Sequence, residues 1–143
     1  MVRPVPGVPL GEQPERVLLR ICAWAEAQGE PADGVIAVLH VIGRRAKMKN
    51  IDLRSVILAP KQFSWTLDPN YIRRAMVAYD TSPASWARID ALVEAWEQGA
   101  TVDTSGGADH YYAPDTVHPA WGEGHPDWHT TVKRGHHLFG NCP

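Results

Sequence analysis

The stretch PERVLLRICAWAEAQGEPADGVIAVLHVIGRRAK, Pro14 to Lys47, decides the fold. Leu18, Ile21, Cys22 and Ala25 recur at helical spacing and predict a helix that buries one apolar stripe. Gly29 is placed to stop it. Glu30-Pro31 then opens a second helix, because proline's preset φ and missing N–H suit a first helical turn. Val35, Ile36, Val38, Leu39 and Ile42 supply its apolar positions. Arg44, Arg45 and Lys47 put cations at its C-terminal end, where the helix dipole favours them.

Working outward, Met1 to Pro14 carries four prolines, and residues 1–13 read as an extended arm. Asp52 caps a short helix running to Leu58, which Pro60 stops. Lys61 to Leu67 reads as irregular or extended, and a helix follows from about Asn70 to Tyr79. Ser82-Pro83 supplies an N-cap and a first-turn proline for another helix. There Trp86, Ile89, Leu92, Val93 and Trp96 repeat every three or four residues until Gly99. Beyond residue 100, Gly, Asp, His, Pro and aromatics replace the helical pattern, with short strands expected at Tyr111-Tyr112 and Thr130–Val132. The expectation is a mainly α (α+β) fold: a helical body with a loop-rich C-terminal third. That third is too poor in apolar residues to build its own core, so residues 14–143 are expected to form one domain.

Composition narrows the function. A length of 143 residues, 44% hydrophobic and 21% charged, suits one soluble globular unit. A net charge of −2 with no basic patch disfavours a nucleic-acid partner. No eighteen-residue apolar window exists, so no membrane span is expected. The N-terminal stretch lacks an apolar signal core, so no route of its own through the general secretory pathway is expected. Cys22 and Cys142 form neither a disulfide framework nor a metal motif. No nucleophile elbow, phosphate loop or dinucleotide fingerprint is present, and no cofactor is expected.

Three groups could carry chemistry. On the helical wheel Glu26 falls beside Cys22 at the edge of the apolar stripe, where partial desolvation would raise a carboxyl pKa. Position alone favours an ordinary solvated glutamate. Glu30, before a proline at a helix start, reads first as N-terminal helix charge. Six of the seven histidines lie between His110 and His137, a density that invites a zinc reading, but their spacing matches no metal template. The expectation is no bound metal, with some imidazoles in a cleft. Some of the six tryptophans are expected to line a groove, since flat apolar rings match the C–H faces of sugars.

The run Ala25-Glu26-Ala27-Gln28-Gly29-Glu30-Pro31 resembles the Ala-Glu-Ala-x-Gly-Glu-Pro signature of the SleB/CwlJ cell-wall hydrolases, which include spore cortex-lytic enzymes and phage endolysins. Further blocks follow in order. Val56-Ile57 and Gln62-Phe63-Ser64-Trp65 resemble one, and His110-Tyr111-Tyr112 with Pro119-x-Trp121 another. Gly135-x-His137-x-Phe139 resembles the closing block. The resemblance spans about residues 17 to 139. It departs at Arg44-Arg45, where the family has Asn-Arg, and over residues 122–129, which have no counterpart.

The resemblance implies a small lysozyme- or transglycosylase-like helical domain that cuts the bond between N-acetylmuramic acid and N-acetylglucosamine. It implies that Glu26 is catalytic, and that Gln62, Ser64, Trp65, His110, Tyr111, Tyr112, Trp121 and His137 bind substrate. The partner would be the glycan strands of bacterial peptidoglycan, met by a monomer, in the manner of a phage endolysin. One rival is a hydrolytic muramidase using Asp109 or Glu30 as second carboxylate. Another is a zinc amidase built from the C-terminal histidines, and a third is a non-catalytic wall-binding module.

Overall fold

The computed structural model describes residues 1–60 and 62–142. Among the described residues six α-helices precede a small sheet: α1 (Glu15–Ala27), α2 (Ala32–Lys49), α3 (Leu53–Ile57), α4 (Pro69–Met76), α5 (Ala78–Thr81) and α6 (Pro83–Glu97), then β1 (His110–Tyr112), β2 (His129–Arg134) and β3 (His137–Asn141). The mainly α expectation, with a loop-rich C-terminal third, matches this architecture.

Helix α1 is the hub, packed by α2, α3, α4 and α6. The sequence predicted one buried stripe. Instead nine of its residues are buried, from Val17 through Trp24 together with Ala27. A helix surrounded by others has no solvent face to keep polar, so its pattern is apolar nearly all round. The exception is Arg20, fully buried and bonded at Nε to Asp90 Oδ1 (2.6 Å) and at Nη2 to Glu97 Oε1 (2.7 Å), both on α6. A buried guanidinium persists only when its donors and charge are matched, and these carboxylates match them.

Helix α2 runs past the expected end to Lys49. Asn50 then adopts a left-handed φ of 53°, and the Ile51 N–H reaches back to the Ala46 carbonyl. Asparagine tolerates this conformation and here does the work usually given to glycine. Asp52 caps α3 by accepting from Ser55 N–H (2.7 Å), as expected. The helix expected over Asn70–Tyr79 starts at Pro69, capped by Asp68, and breaks at Val77 into α4 and α5. Ser82 does not cap α6 with its hydroxyl; its carbonyl accepts from Ser85 Oγ instead. Of the segment expected to be irregular, Lys61 lies outside the described residues, and Ser64–Leu67 forms a 3-10 turn.

The arm of residues 1–13 is bound to the body. Gln13, fully buried, accepts from Val5 N–H and donates to the Val5 and Val8 carbonyls, closing the arm into a loop. Trp86 Nε1 donates to the Val2 carbonyl, which ties that loop to α6. Leu10–Glu12 is a 3-10 turn rather than extended chain.

Both expected strands form, and β3 pairs between them antiparallel in the order β1-β3-β2. Two residues, Gly135 and His136, join β2 to β3, with Gly135 at φ +55°. A tight hairpin needs a positive φ at its first turn position, which glycine supplies without strain. A side chain there would also run into the Glu30 carboxylate. Glu30 is buried and accepts from His136 N–H at 3.1 Å, so it docks the hairpin onto the α1–α2 corner.

Removing one partner of a buried ion pair strands the other charge. Asp90→Ala should therefore lower unfolding free energy by about 3 kcal/mol in urea titrations. The apolar double variant Arg20→Met/Asp90→Leu should recover most of that loss.

Candidate active site

Glu26 stands in the last turn of α1, half-buried, on the wall of a cleft between the helical body and the sheet. Five other parts of the chain complete the wall. Arg45 comes from the C-terminal part of α2, and Gln62, Phe63 and Ser64 from the segment after α3. His110, Tyr111 and Tyr112 come from β1, and His137 from β3. The β1–β2 loop adds Thr116, Val117, Pro119 and Trp121. The cleft has two lobes that share Glu26, Gln62, Phe63, Tyr111 and Trp121. The larger, about 300 Å³, is of the size that holds a small molecule.

Burial raises the Glu26 carboxyl above its ordinary value, because a charged carboxylate is poorly solvated there. Two groups oppose that shift without overcoming it: the Tyr111 hydroxyl, which donates to Glu26 Oε1, and the Arg45 guanidinium nearby. Burial and the neighbouring carboxyl push Tyr111 far above the ordinary phenol range, so its hydroxyl remains a donor. Its ring is held by His137 and Phe139, with centroids 5.0 and 5.4 Å away. The result is a carboxyl that keeps its proton to higher pH than an ordinary glutamate, yet is oriented and stabilised once it has lost it.

The histidines are spread over several surroundings, and His136 and His137 share one, with Nδ1 atoms 3.3 and 3.8 Å from Glu30 Oε1. His110 bonds through Nδ1 to Asp109 Oδ1 (2.9 Å), and burial lowers its pKa. Burial likewise lowers His137, whose Nδ1 lies 3.8 Å from Glu30 Oε1 and has no hydrogen-bond partner among the described residues. His118 pairs with Glu123 at 2.6 Å, His125 Nδ1 accepts from Asp127 N–H, and His129 is exposed on β2. Among the described residues no three His, Cys, Asp or Glu side chains converge as a metal site would require. The zinc-amidase reading therefore finds no ligand set there.

The structure brings Glu26, Gln62, Ser64, His110, Tyr111, Tyr112, Trp121 and His137 to the one cleft. It does not bring Trp65, which is buried in the core at 4% exposure and does not line the cleft. Phe63, which precedes the 3-10 turn, lines both lobes, and Ser64 lines the larger one. Trp121 is 37% exposed and lies 4.9 Å from His110 and 5.6 Å from Trp128, forming an open aromatic platform at the cleft mouth. Arg45 was not singled out as a site residue. The signal was present: it lies three and four positions after the buried Ile42 and Val41, so it falls on the inward face of α2. Glu30 and Asp109 do not line the cleft, and their carboxylates hold the hairpin and the His110–Cys142 corner. Glu26 is the one carboxylate among the described lining residues.

Comparison with known proteins bears on this geometry. The catalytic domain of the germination-specific lytic transglycosylase SleB from Bacillus anthracis superimposes with a TM-score of 0.65 at 21% identity, covering 97% of this chain and 99% of that one. The catalytic domain of the Bacillus cereus SleB protein superimposes with a TM-score of 0.56 at 22% identity, covering 100% of this chain and 98% of that one. At such identities the likeness is one of fold, and it bears out the expected small lysozyme-like helical domain. No curated protein matches the chain. Residues 29–140 match the profile of the family described as Cell Wall Hydrolase, a match that begins three residues after Glu26. Spanning most of the sequence and the whole cleft apart from Glu26, it places this chain in the Cell Wall Hydrolase family.

Proposed function

We propose that this protein cuts peptidoglycan glycan strands between N-acetylmuramic acid and N-acetylglucosamine as a lytic transglycosylase, with Glu26 serving as acid and then base. The observation that carries this reading is Glu26, the one carboxylate among the described lining residues, half-buried and held by Tyr111. The activity named for the Bacillus anthracis SleB domain, which shares the fold, supports it.

In the first step protonated Glu26 donates to the glycosidic oxygen while the bond from muramic C1 breaks. Positive charge develops at C1 and on the ring oxygen. The muramic C6 hydroxyl then attacks C1, and the Glu26 carboxylate takes its proton. Water is not consumed, and the new end is a 1,6-anhydro sugar. A hydrolytic muramidase would ordinarily want a second carboxylate to activate water on the far face of the sugar. Asp109 and Glu30, the residues considered for that role, are engaged outside the cleft.

Mass spectrometry of sacculus digests should find muropeptides one water lighter than their hydrolytic counterparts. Glu26→Gln should release at least a hundredfold less, the usual scale of lost general acid catalysis. Reducing ends alone would overturn the transglycosylase reading.

The raised Glu26 pKa also fixes two signs. Only the protonated form can donate, so activity should fall as pH rises through a value above the ordinary glutamate range. Tyr111→Phe removes a donor that stabilises the carboxylate, so it should move that fall to higher pH. For stability, a carboxyl raised on folding contributes fully at low pH, and that contribution is lost as pH climbs through the folded value. Glu26→Gln should accordingly melt above wild type at pH 8, with the gap closing toward pH 4.

A further inference from the structure

We propose that Arg45 fixes the side-chain amide of Gln62 so that its NH2 group faces the cleft and selects glycan bearing an acetamido carbonyl. The inference rests on the glycan-cleaving reading above and names what one wall of the cleft recognises.

Arg45 donates through Nε to the Asp109 carbonyl (2.8 Å) and through Nη1 to Gln62 Oε1 (2.7 Å). A guanidinium has five N–H donors and no acceptor. Turning the amide over would set NH2 against N–H, losing the bond and opposing two donors. Arg45 thus leaves Gln62 one orientation, and the first bond, to backbone at the start of β1, holds the guanidinium in place. Gln62 lines both lobes beside Glu26. With Oε1 taken, Nε2 is the group left for the cleft, and it has no partner among the described residues.

Its two N–H groups are free to donate to a bound sugar. A sugar hydroxyl can accept from them, but an amide carbonyl is an acceptor only, so it matches the donor-only NH2 of Gln62 better. The larger lobe, which Gln62 lines and Arg45 does not, carries Phe63, Val117 and Pro119, an apolar surface suited to a methyl group. A polar donor beside an apolar wall is the complement of an N-acetyl group. Arg45 is then a positioning residue that acts through Gln62.

The test compares glycan strands that are fully N-acetylated with strands de-N-acetylated at glucosamine and, separately, at muramic acid. The readout is the ratio of kcat/KM values on acetylated and de-acetylated strands. Wild type should favour acetylated strands by about tenfold over one of the two de-acetylated sets, the scale of one well-made hydrogen bond. Gln62→Glu keeps an oxygen for Arg45 but offers no N–H, and its side chain is exposed enough to leave folding intact. It should lose activity mainly on acetylated strands and bring the ratio near one. Arg45→Met should bring the same collapse, and Arg45→Lys, which can still hold Oε1, should restore most of the preference. A wild type inert on every strand would overturn the proposed function and this inference with it. An active wild type whose ratio is unmoved by Gln62→Glu would overturn this inference alone.

Discussion

The Glu26 carboxyl is carried into a poorly solvated wall by the helix that forms the centre of the protein, and the other features of the cleft answer to that placement. Helix α1 is buried nearly all round, so its position is set by four neighbouring helices rather than by local preference. Each fully buried Leu or Ile contributes about 1.5–3 kcal/mol to holding it there. The carboxyl at its last turn inherits that rigidity. It pays for its position in lost hydration, and one hydroxyl, that of Tyr111, offsets part of the loss. A residue that is awkward for stability and exact in orientation is what acid catalysis at neutral pH requires.

The sheet is small because its task is narrow. Strand β1 delivers Tyr111 to Glu26, and β3 backs that ring with His137 and Phe139. Three charged side chains fasten these parts together. Arg20 locks α1 to α6, Glu30 holds the hairpin turn against the corner after α1, and Arg45 spans from α2 to the start of β1 and the segment after α3. Arg44 adds a fourth tie, reaching Asp103 at 2.5 Å on the loop before β1. Partial burial alone would push Asp103 up, but hydrogen bonds from Ser105 and Arg44 hold it at about 2. The polar interior is thus concentrated at joints, where directional bonds fix angles that apolar contact leaves loose.

Much of this was legible from residue order. Apolar spacing located the helices, and the Ala-Glu-Ala-x-Gly-Glu-Pro run marked Glu26 when the helical wheel alone favoured a solvated residue. What escaped had physical causes. The central strand β3 is five residues long and contains a glycine and a histidine, so pairing on both sides, rather than intrinsic preference, makes it a strand. The resemblance put Trp65 among the substrate-binding residues, yet its side chain is buried in the core, and Phe63 and Ser64 line the cleft. Arg45 read as a cation at a helix end, whereas its place on the inward face of α2 made it a cleft residue. Glu30 read as helix N-terminal charge, and its bonding across 106 positions to His136 could not be seen in local pattern.

The most direct measurement is a carbon-13 NMR titration of the Glu26 side-chain carboxyl in the free enzyme, assigned by its disappearance in Glu26→Gln. A midpoint clearly above the ordinary glutamate value of about 4.3 is expected, rising further in Tyr111→Phe. A midpoint at or below the ordinary value, unmoved by Tyr111→Phe, would mean that this carboxyl is freely hydrated and unsupported, and the account of the cleft would fail.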